Sequence, residues 1–265
     1  VRKAVDTQFT RITRHRFVPS AEVRDDQSLQ HQQRIHNRSM SYPAGLAVRS
    51  AAHLADHPSW IADSWSAAAL LGISAFEEGQ DACMISSHHG LSHPSTPLTA
   101  RLTRPFPGME TTGRRAITAP QALIRCLKQL DYPWFVHPVP NLDDDTIRAV
   151  QVIDAFRLAG LTRDSAFAAA KHRYDQRKLT RLWNLSDPGA HSKPETTFRL
   201  IAQQVAVAFG LTLQSQFVLT SENGTIVTAF DLAIEELRIG LMYDGKHHWN
   251  QHHRTKDLAI GNESM

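Results

Sequence analysis

Three short segments between residues 215 and 243 constrain the fold more than any other part of the sequence. From Leu237 to Tyr243, every second residue is a large apolar one, and Arg238, Gly240 and Met242 lie between them, which is the two-residue period of a strand with one buried face. Two more strands are predicted at 215–220 and 226–233. The pair Asn223-Gly224 between them is a strong signal for a tight hairpin. This region is therefore predicted to fold as an antiparallel sheet.

The same strands carry acidic side chains that are expected to converge. Asp231 lies on the second predicted strand, Asp244 follows the third, and His248 comes four residues later. Because the third strand should lie near the second, we expect these three side chains at its outgoing end. Two carboxylates and an imidazole suit a hard divalent cation and a proton transfer. The structural alternatives are an ion pair of Asp231 with Arg238 or Lys246, and a simple Asp-Gly turn at 244–245.

A helix is predicted to begin after Ser192-Lys-Pro-Glu195 and to end near Gly210. Its expected apolar stripe consists of Phe198, Ile201, Ala202, Val205 and Phe209. A Ser followed three residues later by Glu is also a capping box, in which the Glu side chain returns to the backbone. Glu195 is therefore either a capping residue or part of the carboxylate cluster.

The carboxyl-terminal region, about residues 190–265, resembles the endonuclease domain of the PD-(D/E)XK, restriction-endonuclease-like superfamily, in the branch related to very-short-patch-repair endonucleases. The resemblance rests, in order, on Ser192-Lys-Pro-Glu195, the hairpin, Asp231-Leu-Ala, Tyr243-Asp-Gly-Lys-His-His248 and Arg254-Thr-Lys-Asp-Leu258. It implies an α/β core with a mixed sheet flanked by helices. It also implies Mg²⁺ or Mn²⁺ held by Asp231 and Asp244, a catalytic set of Asp231, Asp244, His248 and Glu195, and DNA contacts from Lys246, Arg254 and Lys256.

One position departs from that family pattern. Members usually carry Glu two residues before the Asp of the Asp-Gly pair, where this chain has Met242. A thioether is a poor ligand for Mg²⁺, which prefers oxygen. Two functions therefore remain open: a metal-dependent DNA endonuclease with impaired catalysis, or a non-catalytic DNA- or protein-binding, antitoxin-like regulator with a decayed nuclease domain.

The first 50 residues are basic, with nine Lys or Arg against four Asp or Glu. Arg11 to Pro19 is predicted to form a strand, and it resembles the wing of the winged helix-turn-helix in AbiEi-type antitoxin-like proteins. The segment Ser64-Trp-Ser-Ala-Ala-Ala-Leu-Leu-Gly72 resembles a helix of the same family. The resemblance implies that Arg11, Arg14 and Arg16 contact the DNA backbone, while the alternative is an exposed basic edge strand.

The overall prediction is an α+β chain in three parts: a basic wing-like segment and polar linker (1–43), an antitoxin-like α+β domain (44–186) and the endonuclease-like domain (187–265). Helices are expected at Leu46–His57, Ala62–Leu71, Thr118–Lys128 and Asp143–Ala159, with one or two more between Leu161 and Asn184.

Composition limits the setting and the partners. Two cysteines cannot form a disulfide framework, which favours a reducing cytoplasm. No apolar run approaches the roughly 20 residues that span a bilayer. The expected partner is DNA, and the sequence leaves a cognate toxin or self-association undefined.

Overall fold

The computed structural model describes residues 8–76, 79–88, 93–130, 134–221 and 223–243, and these form an α+β fold. The helices are α1 (Asp26–Ile35), α2 (Leu46–Asp56), α3 (Ser64–Leu70), α4 (Ala119–Leu127), α5 (Asp144–Leu158), α6 (Arg163–Ala170), α7 (Gln176–Leu185) and α8 (Lys193–Ala208). The strands are β1 (Phe9–Arg11), β2 (Phe17–Pro19), β3 (Ile61–Ala62), β4 (Cys83–Ile85), β5 (Arg101–Thr103), β6 (Gln214–Thr220), β7 (Ile226–Ile234) and β8 (Ile239–Leu241). No helix within these ranges is both long enough and apolar enough to span a membrane.

The basic N-terminal segment forms an antiparallel hairpin of β1 and β2, in which Arg11 pairs with Phe17. Its turn is fastened to the end of α2. The Thr13 hydroxyl donates to Asp56, and Arg16 Nε donates to the other oxygen of the same carboxylate at 2.9 Å. The single strand predicted from Arg11 to Pro19 is therefore wrong: this segment contains the turn of a hairpin and its second strand, and the turn is anchored to the body of the protein.

The polar linker predicted within residues 1–43 contains helix α1, which corrects that part of the prediction. Asp25 caps this helix, because its side chain accepts the N–H of Ser28 at 2.7 Å. Gln32 is buried, and its Oε1 accepts the N–H of Tyr42, which is also buried. This segment packs against the protein through hydrogen-bonded polar side chains such as Gln32. Because it has few apolar residues, the sequence shows no apolar helical stripe there.

The core of the chain surrounds α3 and a three-stranded sheet. Strand β4 lies between β3, which is antiparallel to it, and β5, which is parallel to it. The predicted small-residue helix is confirmed as α3, and Trp65 and its alanines are buried. It begins at Ser64 rather than Ala62 because Ala62 belongs to β3 and Asp63 caps the helix. Both cysteines, Cys83 and Cys126, are buried here.

The helices predicted from 46, 118 and 143 are confirmed as α2, α4 and α5, and the region 161–184 supplies both α6 and α7. The Asp143 side chain caps α5 by accepting the N–H of Thr146 at 2.6 Å. Helix α8 packs on α5 and on β7. A buried ion pair between Asp154 of α5 and Arg199 of α8 joins the two helices at 2.9 Å.

The predicted carboxyl-terminal hairpin is confirmed. Strands β6 and β7 are antiparallel with Phe217 opposite Phe230, and Ser221 N–H bonds to the Thr225 carbonyl across the loop. Strand β8 extends this sheet in antiparallel register. Strands β6, β7 and β8 are thus antiparallel to their neighbours. The mixed sheet that the resemblance implies for an endonuclease-like core stays a prediction.

The third strand is shorter than predicted. Residues Glu235–Leu237 form a single 3₁₀ turn, and Arg238 adopts a left-handed conformation with φ of 54°. The strand therefore begins only at Ile239, and the predicted buried face is exposed, with 51% of Leu237 accessible. Because β7 and β8 are joined by only four residues, the chain must turn sharply there, and this constraint outweighs the alternating pattern.

Candidate functional site

Asp231 lies in β7 beside the outgoing end of β8, as the hairpin predicted. Leu232 pairs with Leu241, so continuing the register past the end of β8 sets Met242 opposite Asp231. The Tyr243 N–H donates to Asp231 Oδ2 at 2.6 Å. The carboxylate therefore contacts the residue that immediately precedes Asp244 in the chain. Arg238 does not form the predicted alternative ion pair with Asp231 within the described residues.

Glu195 forms the predicted capping box at the start of α8. The Ser192 hydroxyl donates to Glu195 Oε1 at 2.7 Å, and the His191 N–H donates to Oε2 at 2.9 Å. Both carboxylate oxygens thus already accept hydrogen bonds. Glu195 can reach a metal ion only through lone pairs left over by these bonds, or by releasing the cap.

Glu195 and Asp231 nevertheless line one depression, where the start of α8 meets β6 and β7. Ser215 and Gln216 of β6 complete its wall, and the depression has a volume of about 10 Å³. Such a volume holds about one water molecule. The two predicted acidic residues therefore share one small depression.

A third charged residue, Arg199, lines this depression and was not predicted from the sequence. Arg199 has only 8% of its side chain exposed, and its Nη2 donates to Asp154 Oδ2 at 2.9 Å. Its Nε is buried and makes no hydrogen bond within the described residues. The available signal was the spacing of four residues from Glu195 to Arg199, which places an acid and a base on one helix face.

Met242 occupies the position where the resemblance expects Glu, and half of its surface is exposed. Side chains directly opposite each other on antiparallel strands have Cβ atoms roughly 5 Å apart. A carboxylate at position 242 would thus lie within reach of a cation bound to Asp231. The thioether leaves that ligand position without an oxygen.

The remaining predicted site residues divide into two groups. Arg11 and Arg14 lie on the exposed hairpin, where Arg11 Nη2 donates to the Arg14 carbonyl at 3.1 Å, while the charge of Arg16 is matched by Asp56. Five others lie outside the described residues: Asp244, Lys246, His248, Arg254 and Lys256.

Glu195 and Asp231 supply oxygen ligands, the type that Mg²⁺ and Mn²⁺ prefer. Within the ranges that the structure describes, no cluster of three or more His, Cys, Asp or Glu side chains is placed to hold a metal ion. A complete cation site at this depression therefore requires a further ligand, and Asp244 is the residue that the sequence predicts.

Comparison of the chain with protein-family models, with curated proteins and with solved structures found no match.

Proposed function

We propose that the chain is a DNA endonuclease that hydrolyses phosphodiesters with Mg²⁺ or Mn²⁺. The observation that carries this proposal is the depression that Glu195 and Asp231 share. Asp231 also accepts a hydrogen bond from the N–H of Tyr243, the residue that precedes Asp244. These are the acidic residues that the resemblance assigns to catalysis. A cytoplasmic location and DNA as the partner belong to the same proposal.

Each residue has a distinct role in this mechanism. A divalent cation held by Asp231 and Asp244 would polarise a phosphate oxygen and lower the pKa of its bound water. Arg199 lines the depression, and its unpaired Nε would be the donor available to a phosphate oxygen, while Asp154 balances most of its charge. His248 orients the attacking water or protonates the leaving oxygen.

Binding of the DNA backbone is assigned to basic side chains outside the depression. Arg11 and Arg14 present exposed charges on the N-terminal hairpin, and Arg16 contributes less because Asp56 neutralises it. Lys246, Arg254 and Lys256 follow the third strand in sequence. Such phosphate contacts would make the affinity depend strongly on salt concentration.

Two observations favour a second function, that of a non-catalytic, antitoxin-like regulator that binds DNA or a protein such as a cognate toxin. Both oxygens of Glu195 are used in the helix cap, and Met242 removes an oxygen ligand beside Asp231. A scaffold of this kind would keep its fold and its basic surface while losing the cation.

Mn²⁺ calorimetry and plasmid nicking test the first function on the wild type, Asp231→Asn and the exposed-carboxylate control Glu110→Gln. We expect Mn²⁺ binding and nicking in the wild type and the control, and the loss of both in Asp231→Asn. Unchanged binding and nicking in Asp231→Asn would refute the assigned site.

Met242→Glu separates the two functions. If the chain is an impaired enzyme, the added carboxylate should tighten Mn²⁺ binding and raise the nicking rate. If the wild type binds DNA without nicking and Met242→Glu gains cleavage, the scaffold is intact and lacks one ligand. DNA binding with no cleavage by either protein would support the regulator.

A further inference from the structure

A second polar cavity, of about 40 Å³, lies beside strands β4 and β5, and the proposed nuclease function does not use it. Its wall includes Gln80, Asp81, Arg101 and Gln129, together with Trp65 of α3 and the two residues that follow α1, His36 and Asn37. Its volume is large enough for water or a small ion but too small for a nucleotide.

Gln80 is buried in this wall with an unused donor. Its backbone carbonyl accepts a hydrogen bond from Arg49 Nη2 at 2.6 Å, which fixes the residue in place. Its side-chain Nε2 is fully buried and makes no hydrogen bond within the described part of the chain. Burying an N–H group without an acceptor destabilises a protein, so such a group indicates a missing partner.

Two further donors line the same cavity. The side chain of Arg101 makes no hydrogen bond or ion pair in the described ranges, although its backbone is held in β5 by a 2.7 Å bond to the Ala82 carbonyl. The amide oxygen of Gln129 accepts the Ser64 hydroxyl at 2.9 Å, which leaves the Nε2 of Gln129 as a donor. Arg101 is half-buried, so the site can be reached from solvent.

Asp81 is the acidic residue in this wall, and each of its oxygens already accepts a hydrogen bond. One carboxylate oxygen accepts from Arg38 and the other from the hydroxyl of Tyr42. The guanidinium of Arg38 offsets its charge. The charge of Arg101 is left without a counterion among the described residues.

We infer that this cavity binds a small oxyanion, of the phosphate or carboxylate type, through Arg101, Gln80 and Gln129. A water molecule both donates and accepts, whereas the unpaired side-chain nitrogens of Arg101, Gln80 and Gln129 are all donors. An oxyanion accepts all of them and also supplies the charge that Arg101 lacks. This inference does not depend on nuclease activity, because it uses none of the residues of the first depression.

The test is calorimetric titration of the full chain with inorganic phosphate and with acetate, using chloride at matched ionic strength as the blank. The variants are Arg101→Gln and the control Arg104→Gln, which removes the same charge from an exposed position three residues away. We expect saturable binding by the wild type and by the control, and at least a tenfold loss of affinity in Arg101→Gln. The preferred anion identifies the ligand class.

Gln80→Met adds an independent readout, because it removes the buried donor while keeping a similar volume. We expect weaker anion binding in this variant, and a thermal midpoint in anion-free buffer equal to or above that of the wild type. Absence of saturable binding, or an equal loss in Arg101→Gln and Arg104→Gln, would overturn the inference and leave water or an adventitious ion only.

Discussion

Replacing Asp154 with alanine should be among the most destabilising single changes in this chain. The carboxylate accepts three hydrogen bonds: from Arg199 Nη2 at 2.9 Å, from the Thr196 hydroxyl at 2.8 Å and from the Asp187 N–H at 2.7 Å. Side-chain exposure is 1% for Asp154 and 8% for Arg199. The substitution therefore leaves a buried guanidinium without a counterion, which costs about 3–5 kcal/mol of unfolding free energy.

Urea unfolding, followed by circular dichroism, measures this loss directly. The control is Asp144→Asn, whose carboxylate is 61% exposed and lies 3.3 Å from Arg148. An exposed pair of this kind contributes about 1 kcal/mol or less. The two single variants thus compare a buried with an exposed ion-paired carboxylate of the same helix, α5.

The double variant Asp154→Leu with Arg199→Met separates the cost of burying an unpaired Arg199 charge from the net attraction between Asp154 and Arg199. When both charges are removed together, no buried ion remains unpaired, so part of the lost stability should return. The rest stays lost because the Thr196 hydroxyl and the Asp187 N–H no longer have Asp154 as an acceptor. If Asp154→Ala cost no more than Asp144→Asn, or if the double variant were less stable than Asp154→Ala, the reasoning from burial would be refuted.

Two further predictions concern packing and pH. A Cβ added in Gly240→Ala would approach the Phe230 ring to 2.5 Å, whereas Gly113 has no atom within 4 Å of that position. Gly240→Ala should therefore lose about 1–3 kcal/mol in urea unfolding and Gly113→Ala at most about 0.5; equal losses would contradict this. Burial and the nearby Arg49 lower the pKa of His53 to about 4 from 6.5. Unfolding then takes up a proton as the pH falls, so this residue should contribute a loss of about 2 kcal/mol in unfolding free energy from pH 7 to 5. An NMR titration of His53 with a midpoint near 6.5 would refute this.

Local signals in the sequence located much of the fold correctly. Asp143 and Ser192 begin α5 and α8 as N-caps, and Asn223-Gly224 closes the β6–β7 hairpin. Each of these features depends on hydrogen bonds or dihedral angles within a few residues. The sequence alone was therefore sufficient for them.

Features that depend on distant residues were missed or misplaced. The alternation from Leu237 to Tyr243 is compatible with a strand, but the short connection to β7 requires a turn through Arg238. The Arg199–Asp154 pair joins residues 45 positions apart, and neither residue alone indicates a partner. The same limit applies to the oxyanion cavity, because the unused donor of Gln80 is evident only once its surroundings are known.

The two buried cysteines, Cys83 and Cys126, can be used to detect transient opening of the core. Burial raises the pKa of the Cys83 thiol to about 12 and also raises the pKa of the Cys126 thiol. The folded protein therefore holds almost no reactive thiolate, and alkylating reagents reach these sulfurs only when the core opens. The rate of alkylation in native buffer thus measures how often that core is exposed, without an engineered label.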